Sequence, residues 1–124
     1  MSSLSKSLIM SARDVTLEEV HVSEWGGSVW LKTLSGTERD IFEDGYAADK
    51  MKAFRPRFLV LALCNENGDR LFTDAEVAEL GKKSSVVLNR LFDAGWKLNA
   101  LREEDTDAMG EGSPSDQSAD STSV

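Results

Sequence analysis

Hydrophobic and polar positions divide this chain into one alternating stretch followed by several helical ones. In TLEEVHVSEWGGSVWLKTL, residues 16–34, Val, Trp and Leu alternate with polar residues on both sides of Gly26-Gly27, which predicts a β-hairpin over 17–34 closed by a two-residue turn. Closing the turn at the two glycines pairs Trp25 with Ser28, Ser23 with Trp30 and Val22 with Leu31. Because side chains alternate, Val20, Val22, Val29 and Leu31 then share one face, and Trp25, Trp30 and Leu34 the other. A two-stranded ribbon is marginal by itself, so one face must lie on helices and the other is free to lie on something else.

Past Leu34 the period lengthens. Ser35 with Glu38 has the spacing of a capping box and starts a helix over about 36–53 that carries Ile41, Phe42, Ala47, Ala48 and Met51 and is weakened at Gly45. That helix is expected to end before Pro56, because the residue ahead of a proline avoids helical geometry. Phe58 to Cys64 is an unbroken apolar run that periodicity leaves open between helix and strand. Leu, Ala and Cys outnumber its β-branched residues and Pro56 suits a first helical position, which favours a short buried helix over 56–64. Asn67-Gly68 marks a turn, Thr73 with Glu76 caps a helix over 74–81, and Gly81 stops it.

The last helix, about 85–102, has two apolar sides. Val87, Leu91, Ala94, Leu98 and Leu101 recur at helical spacing, while Leu88, Phe92 and Trp96 climb away until Trp96 lies roughly opposite that stripe. Either this helix is buried all round, or Phe92 and Trp96 meet another chain.

Charge adds an end to this pattern. From Glu103 to Val124 there are seven acids and no Lys or Arg; taking those seven from the chain's 22 leaves 15 acids against 14 bases, so most of the formal −8 sits in one tail. The tail is rich in Ser, Asp and Gly and has no aromatic residue, so 103–124 is expected to be disordered and solubilising. Residues 1–14 are expected to be a flexible N-terminus, with Leu8, Ile9 and Met10 available to dock. Between them, 15–102 forms a single folded domain: α+β, mainly helical, with an N-terminal hairpin. A lone Cys64 rules out an internal disulfide. The N-terminal apolar run is three residues, short of the roughly 7 to 15 of a signal peptide, and no stretch nears the roughly 20 that span a bilayer, so the chain reads as soluble, cytoplasmic and without a membrane partner.

Reaction chemistry finds little purchase. With one histidine, His21, and one cysteine, neither a zinc site nor a Cys-His pair can be assembled within one chain, and no glycine-rich phosphate loop is present. Hence no catalytic residue, metal or cofactor is expected. LCNENGDRLFTD resembles a calcium loop only in part: with Gly68 as its sixth position, the first is Leu63 and the twelfth is Asp74, so the reading is a turn and a helix cap. Lys50, Lys52, Arg55 and Arg57 form the one cationic cluster; Phe54 and Phe58 beside it are spaced for a core, so it reads as a solvated helix end or a site for an acidic partner segment, with no nucleic acid expected.

The order EVxVxEWGGxVWLKTLSGTERDxFE, RxRFLVLALCNENGDRLFTDAEVAELGKKS and VLNRLFDAGWKLNAL, from about Val15 to Leu101, resembles the small tail assembly chaperones of long-tailed phages and their prophages. The markers are the W-G-G hairpin, the L-[ST]-G-x-E-R-D helix start, the [DN]-G-x-x-L-F-[ST]-D turn and the closing amphipathic helix. The resemblance implies a non-enzymatic role in the host cytoplasm: binding the tape measure protein before the tail tube polymerises around it, with self-association and the tail tube protein as a further partner. A structural minor tail or connector subunit retained in the virion is the alternative. No motif marks the family's binding residues, so none is transferred. From the residues themselves, Trp25, Trp30, Phe92 and Trp96 are the candidate partner-binding positions, since helix recognition uses large apolar anchors; the competing reading places each of them in the core.

Overall fold

In the computed structural model, the backbone of residues 3–111 and the side chains of residues 3–100 are described. The elements run α1 Lys6–Ser11, β1 Leu17–Val22, β2 Gly27–Lys32, α2 Gly36–Asp49, α3 Phe54–Ala62, β3 Leu63–Cys64, α4 Val77–Leu80 and α5 Ser85–Glu111. The expected α+β architecture is present, with one addition: the hairpin is two-thirds of a three-stranded antiparallel sheet in the order β1-β2-β3.

The hairpin register differs from the one expected. Ser23–Trp25 form a 3₁₀ turn that closes at Gly26, whose φ of 79° is left-handed and free of cost only for glycine. Four residues, 23–26, therefore make the loop, and Val22 faces Gly27 while Leu31 faces Glu18. Relative to the expected pairing, Val22's partner moves by four positions. An even slip leaves each side chain on its own face, so Val20, Val22, Val29 and Leu31 still point together, with Val22 and Leu31 fully buried. The expected grouping of Trp25, Trp30 and Leu34 on one outer face does not hold. Trp25 has left the strand for the turn and packs on the core, as does Leu34, whereas Trp30 stays on the outer face of β2.

The Phe58–Cys64 run is helix and strand in succession. α3 ends at Ala62, and Leu63, extended at φ −73° and ψ 129°, pairs with Leu31 while Cys64 pairs with Trp30. The helix expected over 56–64 thus begins two residues earlier and ends two earlier. Pro56 is its third residue; the first i→i−4 bond runs from the Arg57 N–H to the Ala53 carbonyl at 2.9 Å, so the proline costs no helical hydrogen bond. The preceding helix, expected to reach 53, stops at Asp49, where Lys50 and Ala53 take positive φ values of 53° and 49°. The Arg57 guanidinium stabilises this linker by donating to the carbonyls of Lys50 and Lys52. That role, together with Arg55 donating to Asn89 Oδ1, draws half of the expected cationic cluster into structural contacts.

Both predicted capping residues act. The Glu38 N–H donates to Ser35 Oγ at 3.1 Å and the Ser35 N–H to Glu38 Oε1 at 2.9 Å; the Thr73 N–H likewise donates to Glu76 Oε1 at 2.8 Å. The helix expected over 74–81 is a 3₁₀ turn, Asp74–Glu76, running into the single turn of α4. In the loop before it, Asn65 Oδ1 accepts the N–H groups of Asn67 and Asp69 and Gly68 sits at φ 86°, which makes the segment the expected turn.

The core lies between the inner sheet face and the helices. Phe58 to Ala62 are all buried, flanked by Val22, Leu31 and Leu63 from the sheet, Phe42 from α2, Leu80 from α4, and Val87, Leu88, Leu91 and Phe92 from α5. α5 was expected to end near 102 and continues to Glu111, a stretch with no proline and mostly good helix formers. The rest of the segment expected to be a disordered tail, 112–124, lies outside the described residues. At the other end, the expected flexible N-terminus contains α1, capped by the Leu8 N–H donating to Ser5 Oγ.

Candidate functional site

Three aromatic pairs at i, i+4 spacing, one on each long helical segment, converge on one side of the fold: Phe42 and Tyr46 on α2, Phe54 and Phe58 on α3, Phe92 and Trp96 on α5. Residues four apart lie on one helix face, so each helix contributes two rings to the same place. Phe42 stands 5.2 Å from Phe54 and 5.6 Å from Phe58, centroid to centroid; Tyr46 is 5.7 Å from Phe54, edge-on; Phe92 and Trp96 stack at 5.4 Å with 17° between their planes. These separations and tilts are the favourable ones for ring pairs.

The cluster is graded from inside to outside. Phe42, Phe58 and Phe92 are buried, whereas Trp96 is 44% exposed and Tyr46 and Met51 are similarly open. Above the buried rings lies a groove of about 340 Å³ walled by Phe42, Tyr46, Met51, Phe54 and Trp96, with Arg39 and Glu43 at the rim. A smaller hollow of about 60 Å³ continues past Trp96 between Leu34 and Asn99. The α2–α3 linker sets one lip: its two positive-φ residues flank Met51, and Arg57 holds the carbonyls around it. The rim is also braced, since Arg39 donates to Glu43 Oε2 at 3.0 Å.

The four residues singled out from the sequence are placed differently. Trp96 forms the groove's outer wall. Phe92, 8% exposed, lies beneath it and supports its indole from below, with the Arg55 guanidinium 5.6 Å from the Phe92 ring. Trp30 is half-buried on the outer face of β2, away from the groove and facing Glu19 and Cys64 in register. Trp25 packs against the core at the hairpin turn, with Lys83 Nζ 5.9 Å from its ring, and the neighbouring Glu24 binds Arg90 through both carboxylate oxygens at 2.7 and 3.1 Å. The structure therefore unites Phe92 with Trp96 and separates both from Trp25 and Trp30. Phe42, Tyr46, Met51 and Phe54 were missed as site residues; the repeated i, i+4 aromatic spacing was the signal that points to most of them.

Groups suited to reaction chemistry do not gather here. Burial pushes the Cys64 thiol up, and its Sγ donates to the Trp30 carbonyl, so it is held as the neutral thiol. His21 is exposed on the outer strand with Nδ1 3.4 Å from Ser28 Oγ. Among the described residues, no three His, Cys, Asp or Glu side chains are placed to hold a metal ion, and no helix is long and apolar enough to cross a membrane. What the site offers is shape and apolar area.

No family model matches this chain, nor does any curated protein. A solved structure does: that of the bacteriophage HK97 tail assembly chaperone, at 21% sequence identity and a TM-score of 0.58, over 73% of this chain and 88% of that one. The chain thus has a phage tail assembly chaperone-like fold, as the sequence resemblance implied.

Proposed function

We propose that this chain is a tail assembly chaperone of a long-tailed phage or prophage, acting in the host cytoplasm without catalysis. Its client on this reading is the tape measure protein, which it keeps soluble until the tail tube forms. The fold likeness to the HK97 chaperone is the observation that carries the role. The aromatic groove supports the mode: a concave apolar surface with exposed rings at its lip and buried rings as its floor suits the apolar face of a client helix. Trp96 supplies the outer anchor and Phe92 positions it. Trp30 offers a second contact on the opposite side of the sheet, and Trp25 serves partner binding indirectly by fixing the hairpin turn. Self-association and contact with the tail tube protein belong to the same reading.

Co-expression with the tape measure protein of the same phage tests this. The wild-type chain is expected to bring the tape measure protein into the soluble fraction. Trp96→Ala is expected to reduce the soluble complex several-fold while the purified variant stays folded at the assay temperature, which its melting curve checks because the ring also packs on Phe92. Purified virions are expected to lack the chain. A tape measure protein that stays insoluble refutes the client, and a chain retained in virions favours the structural-subunit alternative.

A further inference from the structure

Fourteen residues long, α2 buries only Phe42, whereas α3 buries five of its nine residues. Polar ties fix the two ends of α2, and they are not alike. At the N-terminal end, Glu38 both caps the helix and neutralises Lys32, whose side chain is 7% exposed. At the C-terminal end, linker 50–53 is bound by Arg57.

The first tie is satisfied and the second is strained. Lys50, at φ 53° and ψ −118°, has the first-position geometry of a type II′ turn, which glycine ordinarily fills, and Ala53 is left-handed at φ 49° and ψ 34°. Residues held in such regions persist only where their surroundings impose them. Arg57 imposes them here. Its guanidinium donates to the carbonyls of Lys50 and Lys52, and its backbone N–H to the Ala53 carbonyl at 2.9 Å. To reach them the side chain lies across α2 at Gly45, where a Cβ would stand 3.2 Å from Nε. That Nε is buried and has no acceptor, a further destabilising feature of the seated helix. All three defects vanish once the end of α2 lifts, since the linker then relaxes and the guanidinium meets water.

We propose that α2 is a hinged wall of the groove: it pivots on the Lys32–Glu38 end, and its C-terminal half lifts from α3 when the linker leaves Arg57. Glu43 and Tyr46 stand on the lifting half and Met51 on the linker, while Phe54 and Trp96 stay on α3 and α5, so the movement widens the groove. Seated and lifted positions are close in free energy because strain offsets the Arg57 bonds and the contact of Tyr46 with Phe54. Arg57 is the positioning residue that sets the balance. The use of the hinge to admit a client rests on the proposed function of the groove; the hinge itself does not.

Spin labels on the full chain test this, with melting curves for each variant. Cys64 is buried, so labels attach to introduced thiols. Ala47→Cys with Lys97→Cys spans the lifting half and α5, and Thr37→Cys with Lys97→Cys spans the pivot. The first pair is expected to show two distances and the second one. Arg57→Met is expected to raise the ratio of long to short about tenfold at the first pair, through the loss of charged hydrogen bonds. Lys50→Gly combined with Ala53→Gly removes the strain and is expected to lower that ratio several-fold. A single distance at the first pair that neither variant changes overturns the hinge, and so does an equal lengthening at the pivot. A tape measure fragment separates the two readings. Distances that switch with the variants in a chain that binds no fragment uphold the hinge and sink the client, whereas one fixed distance in a chain that binds the fragment does the reverse.

Discussion

Gly95 and Phe58 meet where α5 crosses α3, and the meeting leaves no room for a methyl group: a Cβ on Gly95 stands 2.8 Å from Cε2 of Phe58 and 3.7 Å from Leu31 Cδ2. Glycine is a poor helix former, yet here it sets the distance between the two helices that build the groove's floor. Gly95→Ala gains about 1 kcal/mol of helix propensity and loses about 1 to 3 kcal/mol to overpacking in a ring cluster with little slack. Net destabilisation is the expected result, read from urea unfolding, with a displaced Trp96 reporting in its fluorescence. A stabilised variant contradicts this packing.

Lys32 and Glu38 form an ion pair that is nearly closed to solvent, with side chains 7% and 15% exposed. Burial disfavours the Glu38 charge, but hydrogen bonds from Lys32 and from the Ser35 N–H outweigh it and hold the carboxyl below the usual range. Glu38 therefore neutralises a buried lysine and caps α2 together. Glu38→Gln leaves the lysine charge buried without its partner and is expected to cost about 3 to 5 kcal/mol. Lys32→Met combined with Glu38→Gln is expected to recover most of that loss in chemical denaturation. A double variant as unstable as the single one places the effect in the cap instead.

Glu24 and Arg90 join the hairpin turn to α5 on the surface. Hydrogen bonding from Arg90 is the main cause that lowers the Glu24 carboxyl from 4.5 to about 2. The folded value lies below the unfolded one, so the pair's stabilisation is complete above about pH 4.5 and fades as the pH falls toward 2. Exposure and salt keep the contribution small. A carboxyl titration followed by NMR is expected to place Glu24 well below the other exposed glutamates and to bring it back toward them in Arg90→Gln. A Glu24 of ordinary acidity in the wild type removes the contact.

How far the sequence reaches is clearest at the hairpin. Alternation assigned Val20, Val22, Val29 and Leu31 to one face and was correct, although the turn was misplaced, because a slip of four residues preserves side-chain parity. The turn itself escaped because Trp25 leaves the strand to pack on the core, which lengthens the loop to Ser23–Gly26 through contacts that alternation does not carry. Capping boxes were legible at Ser35 and Thr73 since they require only residues three apart.

At the candidate site, Trp96 and Phe92 were visible as a second apolar side of α5, and their neighbours were not. Which side of that helix is floor and which is lip depends on the crossing with α3, which periodicity does not carry. Likewise the apolar run 58–64 has no period to reveal that its last two residues become a third strand; only the free edge of β2 decides that.

By itself, then, the sequence determined what local rules determine: the α+β class, the caps at Ser35 and Thr73, the inward strand face, the concentration of charge at the C-terminal end and the shortage of reactive groups. These follow from spacings of two to four residues along one chain. Tertiary structure decided the register, the third strand, the division of the tryptophans among three surfaces and the aromatic groove, because each depends on contacts between residues far apart in sequence, whose pairing is selected by packing and burial and leaves no periodic trace.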